Sequence, residues 1–564
     1  MGKKIVIVGG VAGGATAAAR LRRLDESAEI VVLERTGFVS YANCGLPYYV
    51  GGVIKEKSAL TLQSPESFRI RFNIDVRVLS EVTAIDRENK TVTVKNLADG
   101  SEYTESYDKL ILSPGAKAMV PDTPGVDSRR VLKLRTVEDA LEMRRIVEEE
   151  KPSRAVVVGG GFIGLEAAEN LMEAGVRVTL LQRSEQVLPP LDWDMACELH
   201  DHMRKKGLDL RFKHSVESYE EIPGGVRVHV VGKESIDCSF VVLAVGVVPE
   251  SELAKAAGLA LGPKGSIDVD SHMRTSDPDI YAVGDAVPVL DPLTGKLKLT
   301  PLAGPANKQG RIAADNICGI GSEYKGTIGS TVIKVFDLTA ACTGLNEKAA
   351  KAAGIAYERI VGYWGNHAGY YPGAENMLVK VLFAPDTGRI LGAQIVGPAG
   401  VDKRIDVFAT AIRAGLTGAD LAELELSYAP PYGSAKDPVN MCGFMIENIR
   451  AGIVKQFHWD QVAALPRDGS VTLLDVRNPG EYARGHIDGA VNIALDGIRG
   501  HLDELDKSKP VYVNCFSGMR SYIACRILSG NGFDCYNLSG GWRFYDLTQR
   551  GKADNEHYPC GERK

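Results

Sequence analysis

The sequence predicts an α/β protein of four units: two Rossmann-like dinucleotide-binding domains, an α+β domain and a small C-terminal α/β domain. Three observations carry that prediction. A strand–glycine turn–helix–strand pattern occurs twice, at residues 4–34 and 155–183. Residues 329–448 then carry strands and an apolar helix but no phosphate motif. A last run of short strands beyond 455 delivers one cysteine at a strand end. The expected division is 1–118 with 247–325, then 119–246, 326–448 and 455–551, with a polar tail at 552–564.

In the first unit, strand 4–8 runs into Gly9-Gly10-Val11-Ala12-Gly13-Gly14, a helix is expected over 15–24, and strand 29–33 ends in Glu34 and Arg35. Such glycines bring backbone N–H groups to a pyrophosphate at a helix N-terminus, and the acid accepts from a ribose hydroxyl. Val11 replaces the middle glycine of G-x-G-x-x-G, but the acid twenty residues past Gly14 restores the signal. Cys44 follows, within Ser40-Tyr41-Ala42-Asn43-Cys44-Gly45-Leu46-Pro47-Tyr48-Tyr49, with no second cysteine a few residues away. A helix is expected over 64–71, strands as far as about 94, and a buried strand turning sharply at Ser113-Pro114-Gly115.

The second unit has the complete fingerprint, Gly159-Gly160-Gly161-Phe162-Ile163-Gly164, but its second strand ends in Gln182-Arg183 rather than an acid. Gln182 cannot accept as a carboxylate does and Arg183 suits a 2′-phosphate, so NADH and NADPH both stay open. A buried strand turns at Gly246, and residues 275–286 close on Gly284-Asp285. Two such units imply two adjacent dinucleotides, one a hydride donor and one a relay.

Beyond them, tyrosines gather at Tyr370-Tyr371 and between Tyr428 and Tyr432, in what reads as an interface domain. A linker is expected over 450–461. Strand 511–514 then delivers Cys515, whose loop reaches Arg520 before a helix over 521–528. Backbone N–H groups curling around a thiolate, with a helix N-terminus behind them, stabilise a thiolate or persulfide. The C-x4-R spacing is one residue shorter than the phosphatase loop of related fold and favours sulfur over phosphate.

Composition narrows the classes further. The 564 residues are 45% hydrophobic and 24% charged, with a net charge of −6, so neither nucleic acid nor an anionic membrane surface is an expected partner. No apolar run approaches the ~20 residues that span a bilayer. Lys3-Lys4 and the apolar run after it imitate a secretion signal, but glycines interrupt the run and an arginine-bearing helix follows; a cytoplasmic location is expected. None of the ten cysteines has C-x-x-C spacing, which argues against zinc, iron–sulfur and disulfide frameworks; no metal is expected.

On the motifs around Gly9, Cys44, Gly284-Asp285 and Ser427-Tyr428-Ala429-Pro430-Pro431-Tyr432, residues 1–448 resemble the coenzyme A disulfide reductases, flavoproteins of the glutathione-reductase type. Residues 455–550 resemble a rhodanese domain, on Leu473-Leu474-Asp475-Val476-Arg477, Gly485-His486-Ile487-Asp488-Gly489-Ala490 and the Cys515 loop. The whole is similar to fused coenzyme A disulfide reductase–rhodanese proteins, whose relatives include NADH-dependent persulfide reductases.

The resemblance implies FAD held by Gly9, Gly10, Ala12, Gly13, Gly14, Glu34, Arg35, Ser113, Gly115, Gly284 and Asp285. It implies NADH or NADPH at Gly159, Gly161, Phe162, Ile163, Gly164, Gln182 and Gly246. Coenzyme A (CoA) would meet Thr16, Arg20 and Arg23, with Ser40, Asn43, Gln63, Asn307 and Arg311 around them. Cys44 would cycle through a mixed disulfide with CoA or through a persulfide, its pKa lowered by an electropositive flavin site. Tyr370 and Tyr428 from the partner subunit of a homodimer would supply protons to CoA-linked disulfide or persulfide. Cys515 and Arg520 would take sulfur from sulfane-sulfur donors. Two other readings remain: an NAD(P)H oxidase or peroxidase cycling Cys44 as sulfenic acid, and a rhodanese unit that only senses or binds.

Overall fold

The structure is a computed structural model that describes residues 2–557. The chain forms two compact units, residues up to 183 with 213–327, and 184–212 with 328 onward.

In the first unit five parallel strands lie in the order Ile280–Ala282, Lys109–Leu112, Lys4–Val8, Glu29–Leu33, Asp75–Arg77. The three central strands are rich in Ile, Val and Leu because both their faces are covered. The first helix is Ala12–Leu24, three residues longer than expected. Gly9, at φ +95°, completes the chain reversal alone, so Gly13 and Gly14 fall inside the first turn of the helix. A Cβ on Gly14 would lie 1.9 Å from the Gly9 carbonyl oxygen. The helix Ala303–Ile317 lies against this one so closely that a Cβ on Gly310 would sit 2.3 Å from the Gly13 carbonyl oxygen.

The pattern repeats at residues 131–243. Val131–Leu132, Phe240–Leu243, Arg154–Val158 and Arg177–Gln182 are parallel, and a Cβ on Gly164 would again lie 1.9 Å from the oxygen of Gly159. Each Rossmann sheet carries an antiparallel three-stranded layer, one of which runs on to Ser106, past the expected limit near 94. The helix expected over 64–71 is Pro65–Phe72, with Ser64 as its cap. In both sheets the carboxyl ends of the strands collect the glycine turns, Glu34, Gln182, Ser113 and Gly284-Asp285 on one edge.

The second unit holds two sheets. One is antiparallel, in the order Thr331–Val335, Leu338–Gly344, Ile390–Gly397, Asn376–Phe383, Glu358–Gly365. The other is parallel, in the order Lys455–Phe457, Cys535–Leu538, Val511–Asn514, Thr472–Asp475, Val491–Asn492. Three boundaries differ from expectation. The expected linker already contains the edge strand Lys455–Phe457. The last helix, Gly541–His557, runs through the first residues of the expected polar tail; the remainder, 558–564, lies outside the described residues. Residues 184–212, expected inside a continuous 119–246 domain, cluster with the second unit.

A buried charge cluster explains that last difference. Lys380 Nζ is fully buried and lies 2.9 Å from both oxygens of Asp194, 3.0 Å from Asp192 and 2.5 Å from Glu347. Asp192 also exchanges two 2.7 Å bonds with Gln394, and Trp459 Nε1 donates to Asp194 at 3.0 Å. Arg359 pairs with Glu347 and, at 2.6 Å, with Asp460. The cluster around this ammonium thus ties the segment 184–212, the antiparallel sheet and the start of the parallel-sheet domain together. These carboxylates hold Lys380 well above its usual range, and Lys380 with Arg359 hold Glu347 well below the usual carboxylate range against the effect of burial.

Candidate active site

Gly10 N–H donates to Glu34 Oε2 at 2.8 Å, while Glu34 Oε1 accepts from Thr36 N (2.9 Å) and Oγ1 (2.8 Å). At the second turn Gly160 N–H donates to Gln182 Oε1 at 3.1 Å. Gln182 therefore stands where Glu34 stands, as a neutral acceptor. Neither helix that follows has a side-chain cap: Val11 and Gly161 occupy the N-cap positions, and a Cβ on Gly161 would meet nothing within 4 Å. The leading N–H groups of a 13-residue and a 12-residue helix are thus free of side-chain capping and face anionic groups favourably. Phe162 and Ile163 open the second helix, and Gly246 turns at φ +123° beyond the strand Phe240–Leu243.

Around the first turn the residues fit FAD. Gly284 N–H donates to Gln309 Oε1 at 2.8 Å, and the buried Gln309 Nε2 has no partner among the described residues. A buried amide donor without a partner is costly, and it sits beside Asp285, where a polar ligand group would satisfy it. Gly115 turns at φ +77° against the Arg135 guanidinium, whose Nε donates to Ala116 O at 2.8 Å. Arg35, expected at the cofactor, is instead held by Glu250.

Cys44 lies in a short 3-10 turn, Asn43–Gly45, leading into the helix Leu46–Val50. Ser40, at φ +48°, and Ala42 pair with Leu62 and Leu60, which brings Gln63 close to this segment. All nine cysteines among the described residues are free thiols. Cys44 is exposed by area, yet protein atoms crowd it enough to disfavour its thiolate. That crowding, then the Glu166 and Asp285 carboxylates, push its thiol up, against the opposing pull of Arg135. The protein groups alone therefore do not supply the expected lowering: two acids and one base act on the sulfur, and a lowering would have to come from the bound flavin. Burial likewise pushes the Glu166 carboxyl up to about 7, although a long bond from Tyr48 Oη at 3.4 Å favours its charged form. Below about pH 7 Glu166 is neutral and weighs less on the thiolate. In the FAD-bound protein, Glu166→Gln is expected to shift the pH midpoint of Cys44 alkylation downwards; an unchanged or raised midpoint contradicts this reading.

The CoA candidates fall together across two helices. Thr16 Oγ1 donates to Asn307 Oδ1 at 2.5 Å, and Arg20 Nε to Asp315 at 2.7 Å, with Arg311 4.0 Å from the same carboxylate. Arg23 is exposed on the same helix as Thr16 and Arg20. Gln63 accepts from Ser67 Oγ at 2.7 Å. In the second unit the exposed Tyr370 and Tyr428 have their hydroxyls 2.7 Å apart, and that bond raises the Tyr370 pKa.

Cys515 ends the strand Val511–Asn514 and is buried. Its sulfur accepts from Gly518 N–H at 3.1 Å and Ser521 Oγ at 3.2 Å. Trp542 N–H, at 2.7 Å from the Cys515 carbonyl, and Arg543 N–H, at 2.9 Å from that of Phe516, fix the loop. Arg520 makes two 2.7 Å bonds to Glu481, and the buried Arg477 is bidentate to Asp475.

Glu166, Tyr48, Arg135 and Glu481 were not singled out from the sequence. Glu166 had a signal: it is a carboxylate two residues past the last fingerprint glycine, just after the apolar Phe162, Ile163 and Leu165. Arg135 and Glu481 reach their sites only through the fold.

Comparison with known proteins agrees with this geometry. Residues 3–310 match the pyridine nucleotide-disulphide oxidoreductase family, 330–437 its dimerisation domain, and 458–546 the rhodanese-like domain. A coenzyme A disulfide reductase of Staphylococcus haemolyticus is 36% identical over 451 residues, 79% of this chain and 100% of that protein. The crystal structure of reduced Bacillus anthracis CoADR-RHD is similar with a TM-score of 0.95 and 49% identity, covering 98% of this chain and 99% of that one. A NAD-dependent persulfide reductase from A. fulgidus is similar with a TM-score of 0.90 and 38% identity, over 96% of this chain and 100% of that one. The two glycine turns, the free thiol at Cys44 and these matches lead to one conclusion: the chain belongs to the pyridine nucleotide-disulphide oxidoreductase family and carries a rhodanese-like domain at its C-terminal end.

Proposed function

We propose that this protein is an NAD(P)H-dependent flavoprotein that reduces CoA disulfide or CoA persulfide through Cys44, and that its rhodanese-like domain moves sulfane sulfur at Cys515. The observation that carries the reading is a free Cys44 thiol in a unit with two dinucleotide turns. With no cysteine bonded to Cys44 among the described residues, the second sulfur comes from the substrate in this reading.

FAD, held by the first glycine turn, Glu34 and the Gly284-Asp285 turn, would supply the two-electron relay from the nicotinamide. The Cys44 thiolate attacks one sulfur of the CoA disulfide, the S–S bond breaks, and the first CoA thiol leaves with a proton. The mixed disulfide on Cys44 then takes up two electrons and a proton, freeing the second CoA thiol and the Cys44 thiolate. Thr16, Arg20, Arg23, Asn307 and Arg311 hold the nucleotide end of CoA, with Ser40, Asn43 and Gln63 nearer the sulfur. The exposed tyrosine pair supports a homodimer in which Tyr370 and Tyr428 give the proton to the thiol leaving the other protomer's Cys44. A cytoplasmic location suits NAD(P)H and the free thiols.

The test is Tyr428→Phe. Turnover of CoA disulfide should fall roughly 10²-fold, the usual worth of a positioned proton donor, while anaerobic bleaching of the flavin by NADH keeps its rate. Unchanged turnover removes the tyrosines from the reaction; failure of the wild-type protein to oxidise NADH with CoA disulfide or persulfide removes the proposal.

A further inference from the structure

The Cys515 loop carries an arginine on each side, yet neither offers a free positive charge. Both terminal nitrogens of Arg520 are taken by Glu481, at 2.7 Å each, and the bond to Arg520 pulls the Glu481 carboxyl down to about 2. Arg477 is buried and bidentate to Asp475, with a further 2.7 Å bond to the Gly485 carbonyl. Each pair is formally neutral. What remains to receive an anion at the sulfur is short-range: the Gly518 N–H and the Ser521 hydroxyl. Between residues 516 and 523 the exposed side chains are apolar, with Phe516 43%, Met519 49% and Ile523 41% exposed.

A thiosulfate dianion would have to leave water without gaining an arginine. A persulfide on an organic thiol brings at most one charge, at the terminal sulfur that the N–H cradle meets, and a tether that apolar side chains can hold. We propose that the rhodanese-like site loads from a thiol-borne persulfide rather than from thiosulfate, and that Glu481 is the residue that sets this preference by cancelling Arg520. The inference rests on the reading that Cys515 accepts sulfane sulfur. In the transfer the Cys515 thiolate attacks the outer sulfur of R–S–SH. The R–S bond to that sulfur breaks, a Cys515–S bond forms, RS⁻ departs, and the proton stays on the terminal sulfur of Cys515–S–SH. No net oxidation occurs.

The test uses the full-length protein with FAD bound and follows, by mass spectrometry, the gain of one sulfur atom on Cys515. The donors are thiosulfate and pantetheine persulfide, whose tether is uncharged. Wild type should load faster from the persulfide by roughly tenfold or more, the worth of one charge-assisted hydrogen bond withheld from thiosulfate. Glu481→Gln keeps an acceptor for the Asn478 N–H that Glu481 now caps. It should raise loading from thiosulfate by about tenfold and leave persulfide loading within a few-fold. Glu481→Asp, which keeps the charge, should stay near wild type. Equal loading of wild type from both donors, or no gain with thiosulfate in Glu481→Gln, overturns the proposal while Cys515 remains a sulfur acceptor. Loading from neither donor overturns the acceptor reading itself, and this proposal with it.

Discussion

Replacing Cys44 by serine is expected to abolish NAD(P)H-driven reduction of CoA disulfide, by roughly four orders of magnitude or more, as for removal of other nucleophiles. A hydroxyl at this position cannot form the sulfur–sulfur bond that the reaction passes through. Among the described residues the first unit offers no substitute. Cys238 is buried in a strand with its thiol directed at the Val226 carbonyl, at 3.5 Å, and Cys318 follows the helix Ala303–Ile317. Flavin reduction by NADH should survive, because the groups at both glycine turns are untouched. Sulfur loading on Cys515 should survive as well. A variant that turns over CoA disulfide normally would remove Cys44 from the reaction.

Lys380→Met is expected to give the largest loss of stability. It leaves Asp192, Asp194 and Glu347 buried with oxygens within 4.8 Å of one another, and only Arg359 and the exposed Lys351, both at Glu347, to offset them among the described residues. Breaking a buried ion pair from one side costs about 3–5 kcal/mol, a fall in Tm of roughly 5–15 °C for a unit of this size. The pH dependence should reverse sign. In wild type the depressed Glu347 pKa contributes stability above the unfolded value near 4.5, lost as the pH falls through the folded value. Without the ammonium the carboxyl groups become harder to ionise when folded, so the variant should gain stability as the pH is lowered from 7 towards 5. Differential scanning calorimetry across that range decides it. A variant as stable as wild type, with the same pH trend, would show that Lys380 is not what holds segment 184–212 in place.

Much of the fold was legible because it rests on local rules. Gly9 and Gly159 need φ values that other residues avoid, and the strands beside them are covered on both faces, so the glycine turns and apolar runs announce two parallel sheets. Glu34 could be read as an acceptor at a fixed distance from its glycines, and Gln182 as its neutral counterpart. The Cys515 loop was legible for the same reason: its sulfur contacts lie three and six residues ahead.

What escaped the sequence is carried by contacts across long separations. Segment 184–212 looks like a continuation of the second Rossmann pattern, and it is Lys380, nearly two hundred residues on, with Gln394 and Trp459, that holds Asp192 and Asp194 in the second unit. The upward push on Cys44 comes first from burial and then from Glu166 and Asp285, 122 and 241 positions away in a chain whose local motif carries no charge at all. Asp315, which holds Arg20 and Arg311 side by side, cannot be foreseen from the helix that carries Arg20. Arg520 looks like an anion site until Glu481, on another helix, closes on it.

The central claim is that Cys44 reacts by pairing with sulfur brought from outside the chain. The most direct test is intact-protein and peptide mass spectrometry of the oxidised protein after incubation with CoA disulfide. The account predicts one CoA per chain, released by reductant and mapping to the peptide that contains Cys44. A chain that loses two hydrogens without gaining CoA, its Cys44 peptide joined to another cysteine peptide, would contradict it.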